Sequence, residues 1–162
     1  MVLTVRTEKI SKIEAEAAVV GWYSDVRPLK GGAGTLDWLM CGALSRLILD
    51  GRIRGSVGEV ALLTAAGKIP AAKIFMIGLG SRREAMPENL RLAAQAAAGA
   101  IAGAGVATAA IDLLPFAKEG NDAERLAVME GLRNGKHQGA IEFLLIAPEN
   151  AIAERMTRLA RA

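Results

Sequence analysis

Lys73–Arg83 reads KIFMIGLGSRR, and the reading of this stretch decides the fold. Ile74, Phe75, Met76 and Ile77 form an uninterrupted apolar run, after which Gly78, Leu79, Gly80 and Ser81 turn the chain. Arg82 and Arg83 follow, and Pro87 opens a long Ala-rich helical pattern. A short apolar run that ends in a glycine turn ahead of a helix is how a central parallel strand, buried on both faces, is written. Ligands in such sheets sit at the carboxyl ends of strands. Gly78, Leu79, Gly80 and Ser81, with Arg82 beside them, are therefore the first candidate binding loop.

Upstream of that strand, Glu59–Ala65 (EVALLTA) predicts another, joined to it by a hairpin-like turn at Gly67 and Lys68. Thr35–Asp50 has a 3.6-residue period, with Leu36, Leu39, Met40, Ala43, Leu44 and Leu47 on one face. Thr35 suits an N-cap and Gly51 the position just past the helix. Ser24–Gly34 is a loop punctuated by Pro28, Gly31, Gly32 and Gly34. Ala17–Tyr23 (AAVVGWY) predicts an interior strand, and Met1–Arg6 alternates as a half-buried one. Downstream, Pro87–Gly103 is a helix with Pro at its first position. Its alanines and glycines suit close approach to a sheet. Ala107–Leu113 and Ala140–Ile146 predict strands. Asn121–Asn134 predicts a helix capped by Asn121 with Glu124 three residues on, and Pro148–Ala162 a last amphipathic helix. Strands alternating with helices, plus two consecutive strand pairs, predict an α/β fold. Its central sheet is mixed, largely parallel, with helices on both faces.

Composition bounds the rest. The chain has 162 residues, long enough for one domain with a core. Hydrophobic residues are 52% and aromatics 4%, which excludes disorder and predicts a core of Ala, Val, Ile, Leu and Met. The net charge of +3 is dispersed, and the basic loop residues Lys30, Arg52 and Arg54 have no aromatics interleaved, so nucleic acid is not expected. The amino terminus shows no signal-peptide pattern. The apolar stretch Leu92–Ile111 is broken by Gln95, Thr108 and several glycines, so no membrane partner is expected and the location is cytoplasmic by default. The lone cysteine, Cys41, reads as a small buried apolar residue. Trp22 and Trp38 read as core or interface residues, Trp38 partly exposed at a subunit contact.

Several short motifs now line up in order. Gly42–Glu84 holds a helix, a basic Gly-containing turn, the strand start Gly58-Glu59, and a strand ending Gly78-Leu79-Gly80. Leu90-Arg91 near the start of the next helix and Glu130-Gly131 late in the third continue the pattern. This arrangement resembles the amino-terminal domain of the leucyl aminopeptidases across most of the chain. The resemblance implies a three-layer α/β/α macro-like fold. It makes residues 1–162 one such domain, with 149–162 resembling the linker helix that leads to a separate catalytic domain. In that family the domain contributes to hexamer assembly and in some members to DNA binding. One departure stands out. Leu132–Gly139 lacks the aromatics of the family's LGxYxF-like pattern, and whatever the family packs there is in doubt.

No catalytic residue and no metal ligand is assigned. Two-metal hydrolytic sites hold their ions about 3.5–4 Å apart with converging carboxylates. The family's NTDAEGR-type signature is absent, the carboxylates are scattered, and the one histidine, His137, reads as a solvated helix-end residue. No cofactor is expected. Two glycine loops remain: Gly31, Gly32 and Gly34 ahead of a helix, and Gly78–Ser81 after a strand. Either could cradle an anion on backbone N–H groups or serve as a structural turn, and neither is a GxGxxG or Walker pattern. Three functional readings stay open. The first is a non-catalytic domain that assembles as a homo-oligomer or with a separately encoded protein partner. The second is a macro-type module for a phosphate-containing small molecule, nucleotide or ADP-ribose. The third is the leading portion of a metal-dependent leucyl aminopeptidase, with zinc or manganese held elsewhere.

Overall fold

A computed structural model describes every residue except Ala117 and Gln138. The described residues form strands β1 (Val2–Arg6), β2 (Ala17–Trp22), β3 (Val60–Thr64), β4 (Lys73–Gly78), β5 (Thr108–Asp112) and β6 (Glu142–Ile146). The helices are α1 (Gly31–Leu39), α2 (Ala43–Leu49), α3 (Pro87–Gly103), α4 (Asp122–Asn134) and α5 (Asn150–Arg161), with a short 3₁₀ turn at Arg82–Glu84. The strands make one sheet in the order β1-β6-β5-β2-β4-β3. β3 runs antiparallel to β4, and the other pairings are parallel. This is the mixed, largely parallel α/β/α fold that the strand pattern predicts.

The apolar runs behave as continuous hydrophobic strands should. All of β2 is buried between β4 and β5. Its side chains alternate between two cores, as the pleat requires. Ala17 and Val19 face α3, α4 and α5 together with Phe75 and Ile77. Ala18, Val20 and Trp22 face α1 and α2 together with Ile74, Met76, Leu36 and Leu44. The core position expected for Trp22 holds.

The glycines that permit close packing are not those of α3. A methyl added at Gly99 or Gly103 would meet nothing within 4 Å. On α4, by contrast, a methyl at Gly131 would strike the Arg91 carbonyl and Ala94, and one at Gly135 would strike Ala98. The glycines that enforce a close approach are therefore those that set α4 against α3, helix on helix, while the alanines of α3 pack on the sheet. The Asn121 cap forms in full: its side chain accepts the Glu124 N–H, and Glu124 accepts the Asn121 N–H, each at 3.0 Å.

The structure corrects several expectations. Thr35–Asp50 is not one helix. Cys41 (φ 55°) and Gly42 (φ 81°) are both left-handed and break it, and the Asp37 carboxylate receives the Ser45 N–H at 2.9 Å to hold the corner. Helix α1 also begins at Gly31, so the glycines expected in a loop form its first turn and Thr35 is not its cap. Cys41, at that corner, is exposed rather than buried. His137 is half-buried, edge-on to Phe143 with its Nε2 shielded from solvent, rather than a solvated helix-end residue. Gln138, in the segment lacking the family's aromatics, lies outside the described residues. Trp38 is 84% exposed, further out than expected.

Helix α5 folds back onto the sheet: Met156 is buried, and Ile152 and Leu159 pack against the α3–α4 core. Arg155 reaches Asp122 at 2.7 Å, and Arg158 and Arg161 are exposed. Among the described residues no helix is long and apolar enough to cross a membrane.

Candidate functional site

Carboxyl ends of β1, β6, β5 and β2 converge on one edge of the sheet, and a cavity of about 580 Å³ opens there. Its walls are Thr7–Ile10 after β1, Ala147 and Pro148 after β6, Leu114–Phe116 after β5, and Gly31, Gly32 and Thr35 from α1. Lys9, Lys118, Glu8 and Glu119 stand around it. Asp112, the last residue of β5, is its central polar group. The Asp112 carboxylate accepts backbone N–H bonds from Gly32 and Leu114. Burial pushes its pKa up to about 6, against the pull of those two bonds.

This geometry explains Gly31 and Gly32. Gly31 has φ +59°, and a methyl on it would lie 2.7 Å from the Pro115 Cα. A methyl on Gly32 would overlap an Asp112 carboxylate oxygen. Lys30, the residue before α1, makes no side-chain cap. Asp112 does that work from the end of β5, accepting one of the unpaired N–H groups of the helix start. Gly34 lies away from the cavity, against the Leu29 carbonyl.

Gly78, Leu79, Gly80 and Ser81 do not line the cavity. Their donors are engaged within the protein. Gly78 N–H reaches Glu59 O at 2.8 Å, Leu79 N–H reaches Trp22 O at 2.9 Å, and Gly80 N–H reaches Gly55 O at 2.8 Å. Next to them Asp25 gathers the Ser81 hydroxyl at 2.7 Å, the Arg82 N–H at 2.7 Å and the Arg83 N–H at 3.3 Å. The Arg82 N–H and then the Ser81 hydroxyl hold the Asp25 pKa down at about 2. The loop thus cradles an anion, and the anion is a side chain of the same chain.

Arg82 is occupied as well. Its guanidinium stacks over the Phe116 ring at 3.2 Å and pairs with Glu119 at 3.1 Å. It ties the segment after β5 to the end of β4 and lines a smaller hollow of about 180 Å³ with Tyr23 and Glu124. The segment Leu114–Phe116 borders both hollows; Gly31 and Gly32 line the larger one, and Gly78–Ser81 line neither. Among the described residues no group of three or more His, Cys, Asp or Glu side chains could hold a metal ion.

Sequence reasoning overlooked Asp112 and the Thr7–Ile10 wall. A carboxylate closing the apolar run Ala109–Ile111, just ahead of Leu113-Leu114-Pro115, was the available signal for Asp112. Nothing in Thr7–Ile10 marks it as a cavity wall.

A family model described as the cytosol aminopeptidase family, N-terminal domain, matches residues 19–139. A probable cytosol aminopeptidase of Alkaliphilus oremlandii is 30% identical over 91 residues, 56% of this chain and 18% of that protein. One from Geobacter sulfurreducens is 32% identical over 111 residues, 68% of this chain and 22% of that protein. The chain therefore spans about a fifth of the length of these curated relatives. Among solved structures, a tomato leucine aminopeptidase mutant superposes with a TM-score of 0.71 at 16% identity, over 99% of this chain and 35% of that one. The macrodomain of Thermus aquaticus DarG gives 0.71 at 15% identity, over 90% and 98%. At those identities the likeness is one of fold.

Proposed function

The chain belongs to the cytosol aminopeptidase family through that family's N-terminal domain, and from this premise we propose that it is a non-catalytic assembly domain of the cytoplasm, acting on itself or on a protein partner. The carrying observation is the set of large apolar side chains held in solvent. Trp38 on α1 is 84% exposed, Leu49 on α2 is 83% exposed, and Leu62 on β3 is 54% exposed. Exposed apolar side chains of this size are the usual raw material of protein interfaces. The state of the glycine loops supports the same reading. Asp25 occupies the donors beside Gly78–Ser81, and Asp112 occupies a donor at the start of α1. A phosphate arriving at either place would meet a carboxylate already seated there.

Static light scattering of the purified chain, with a pull-down from cell extract, tests the proposal. Oligomers or a stoichiometric partner support it. A monomer at all concentrations with no captured partner overturns it.

A specific observation favours a second reading, the macro-type binding module. The cavity of about 580 Å³ lies at the carboxyl edge of the strands, within the ~300–1,000 Å³ usual for small-molecule sites. With Asp112 seated at the start of α1, that cavity suits a group that donates hydrogen bonds better than a bare phosphate. Titration calorimetry with ADP-ribose, ADP and adenosine tests it, and absence of heat with all three removes it. A third reading makes the chain the leading part of a metal-dependent aminopeptidase. Its support is the fifth of the relatives' length that the chain covers. The described residues do not fit a metal pair, so under this reading the ions would be held elsewhere. The reading frame beyond Ala162 decides it.

A further inference from the structure

Asp112 carries a charge that the chain does not match. Its carboxylate accepts two bonds, both from backbone N–H groups, of Gly32 and Leu114. Among the described residues no ion pair includes it, and no cationic side chain pulls on its ionisation. The start of α1 supplies the equivalent of about half a positive charge, no more. A buried carboxylate is costly unless a full opposite charge meets it. With its pKa pushed up to about 6, this one is nonetheless ionised at neutral pH. Asp25 is the satisfied counterpart: three donors from Ser81, Arg82 and Arg83 hold it, and its pKa lies at about 2. An ionised carboxyl has about four lone-pair sites, so about two stay open on Asp112. The residue is half-buried rather than sealed, and it lines the cavity of about 580 Å³.

The other walls narrow the kind of cation. No group of three or more His, Cys, Asp or Glu among the described residues could hold a metal ion, which disfavours a bare divalent cation. Ile10, Leu114, Phe116 and Ile146 line the cavity and offer apolar surface. At the mouth, Lys118 is paired with Glu149 at 3.0 Å and Glu119 with Arg82 at 3.1 Å. Glu8 and Lys9, adjacent and both exposed, offset each other. The unmatched charge is thus that of Asp112. We propose that this cavity binds a small organic molecule with a primary ammonium group on an apolar body, the ammonium on Asp112 and the body along Ile10, Leu114, Phe116 and Ile146. An ammonium brings three donors and a full positive charge, and charge-assisted bonds are about twice as strong as neutral ones. Water or a neutral amide can fill the open acceptor sites, but neither supplies the charge. The inference goes beyond the nucleotide reading of the same cavity, since it needs neither phosphate nor base. It is equally independent of self-association.

Amide-detected NMR titration of the purified chain with isoamylamine, isoamyl alcohol and isovalerate tests the proposal, because the three probes share one apolar body and differ in the head group. At pH ~7.5 the amine should saturate with a Kd on the order of 1 mM, as suits so small a ligand, and should move the Gly32 and Leu114 amide signals. The alcohol should bind at least about tenfold more weakly, and isovalerate should not saturate. Asp112→Asn, which keeps an acceptor for Gly32, should weaken amine binding at least about tenfold and leave the alcohol unchanged. A second measurement needs no variant. Lowering the pH to ~5 protonates Asp112, whose pKa is about 6, while an alkyl amine stays charged, so amine binding to the wild type should weaken roughly tenfold. An alcohol that binds as tightly as the amine, an amine affinity indifferent to this pH change, or no saturation by the amine overturns the inference. Binding of ADP-ribose without binding of isoamylamine also overturns it and leaves the nucleotide reading standing.

Discussion

Replacing Asp112 by Asn changes the charge of one buried group and little of its shape. In the folded chain the Asp112 carboxyl has its pKa raised from 3.8 to about 6, first by burial, with the Gly32 and Leu114 N–H bonds working against the rise. Each pH step is worth about 1.4 kcal/mol, so the full difference is ~3 kcal/mol, an upper figure because Asp112 also borders an open cavity. The direction follows from proton binding. Between pH 3.8 and about 6 the folded chain holds this proton and the unfolded chain has released it. The favourable contribution is thus complete below 3.8 and is lost as pH rises through about 6. The substituted amide cannot ionise, yet its carbonyl can still accept the Gly32 N–H. Urea unfolding of both proteins from pH 4 to pH 8 measures the effect. The stability of Asp112→Asn relative to wild type should rise by up to about 3 kcal/mol from the acid to the alkaline end, with most of the change below pH ~6.5. Other carboxylates contribute equally to both proteins and cancel. Parallel stability curves would show that Asp112 is solvated as an ordinary surface carboxylate, and the account of α1 capped by the end of β5 would fail.

The same coordinates yield further expectations. Asp25→Ala releases the Ser81 hydroxyl and the Arg82 and Arg83 N–H groups, so its melting temperature should fall. Because Asp25 titrates near 2, its contribution is present above 3.8 and disappears as pH falls through about 2; the melting-temperature gap to wild type should therefore shrink in strong acid. Gly131→Ala sets a methyl against the Arg91 carbonyl and should cost about 1–3 kcal/mol in urea unfolding, whereas Gly99→Ala, with open space around it, should be neutral or stabilising. Asn121→Ala removes a complete capping box and should cost about 1 kcal/mol. Phe116→Ala removes the ring beneath Arg82 and should raise hydrogen exchange at Leu113, Leu114 and Lys118–Gly120, with little change in α3.

Much of the architecture was legible because local pattern carries it. The apolar runs at Ala17–Trp22 and Lys73–Gly78 had to be interior strands. Pro87 opened α3, and Asn121 with Glu124 opened α4, at the positions expected. The 3.6-residue period of Thr35–Asp50 was also real, but periodicity does not report a break that preserves the face. The left-handed pair Cys41 and Gly42 breaks the helix while Leu36 and Leu44 remain on the same core. The glycine loops were legible as places where the chain changes direction, one at the start of α1 and one at the end of β4. What fills them was hidden, because the fillers come from distant segments.

By itself the residue order determined the elements, the inward face of most of them, and the family likeness, since each rests on spacings of a few positions. The tertiary structure alone decided that Asp25 would meet Ser81, 56 positions away, and that Asp112, at the end of β5, would cap α1. It likewise left β3 at the sheet's edge. Long-range partners of this kind arise from strand order, and strand order depends on how whole layers bury one another rather than on any local spacing.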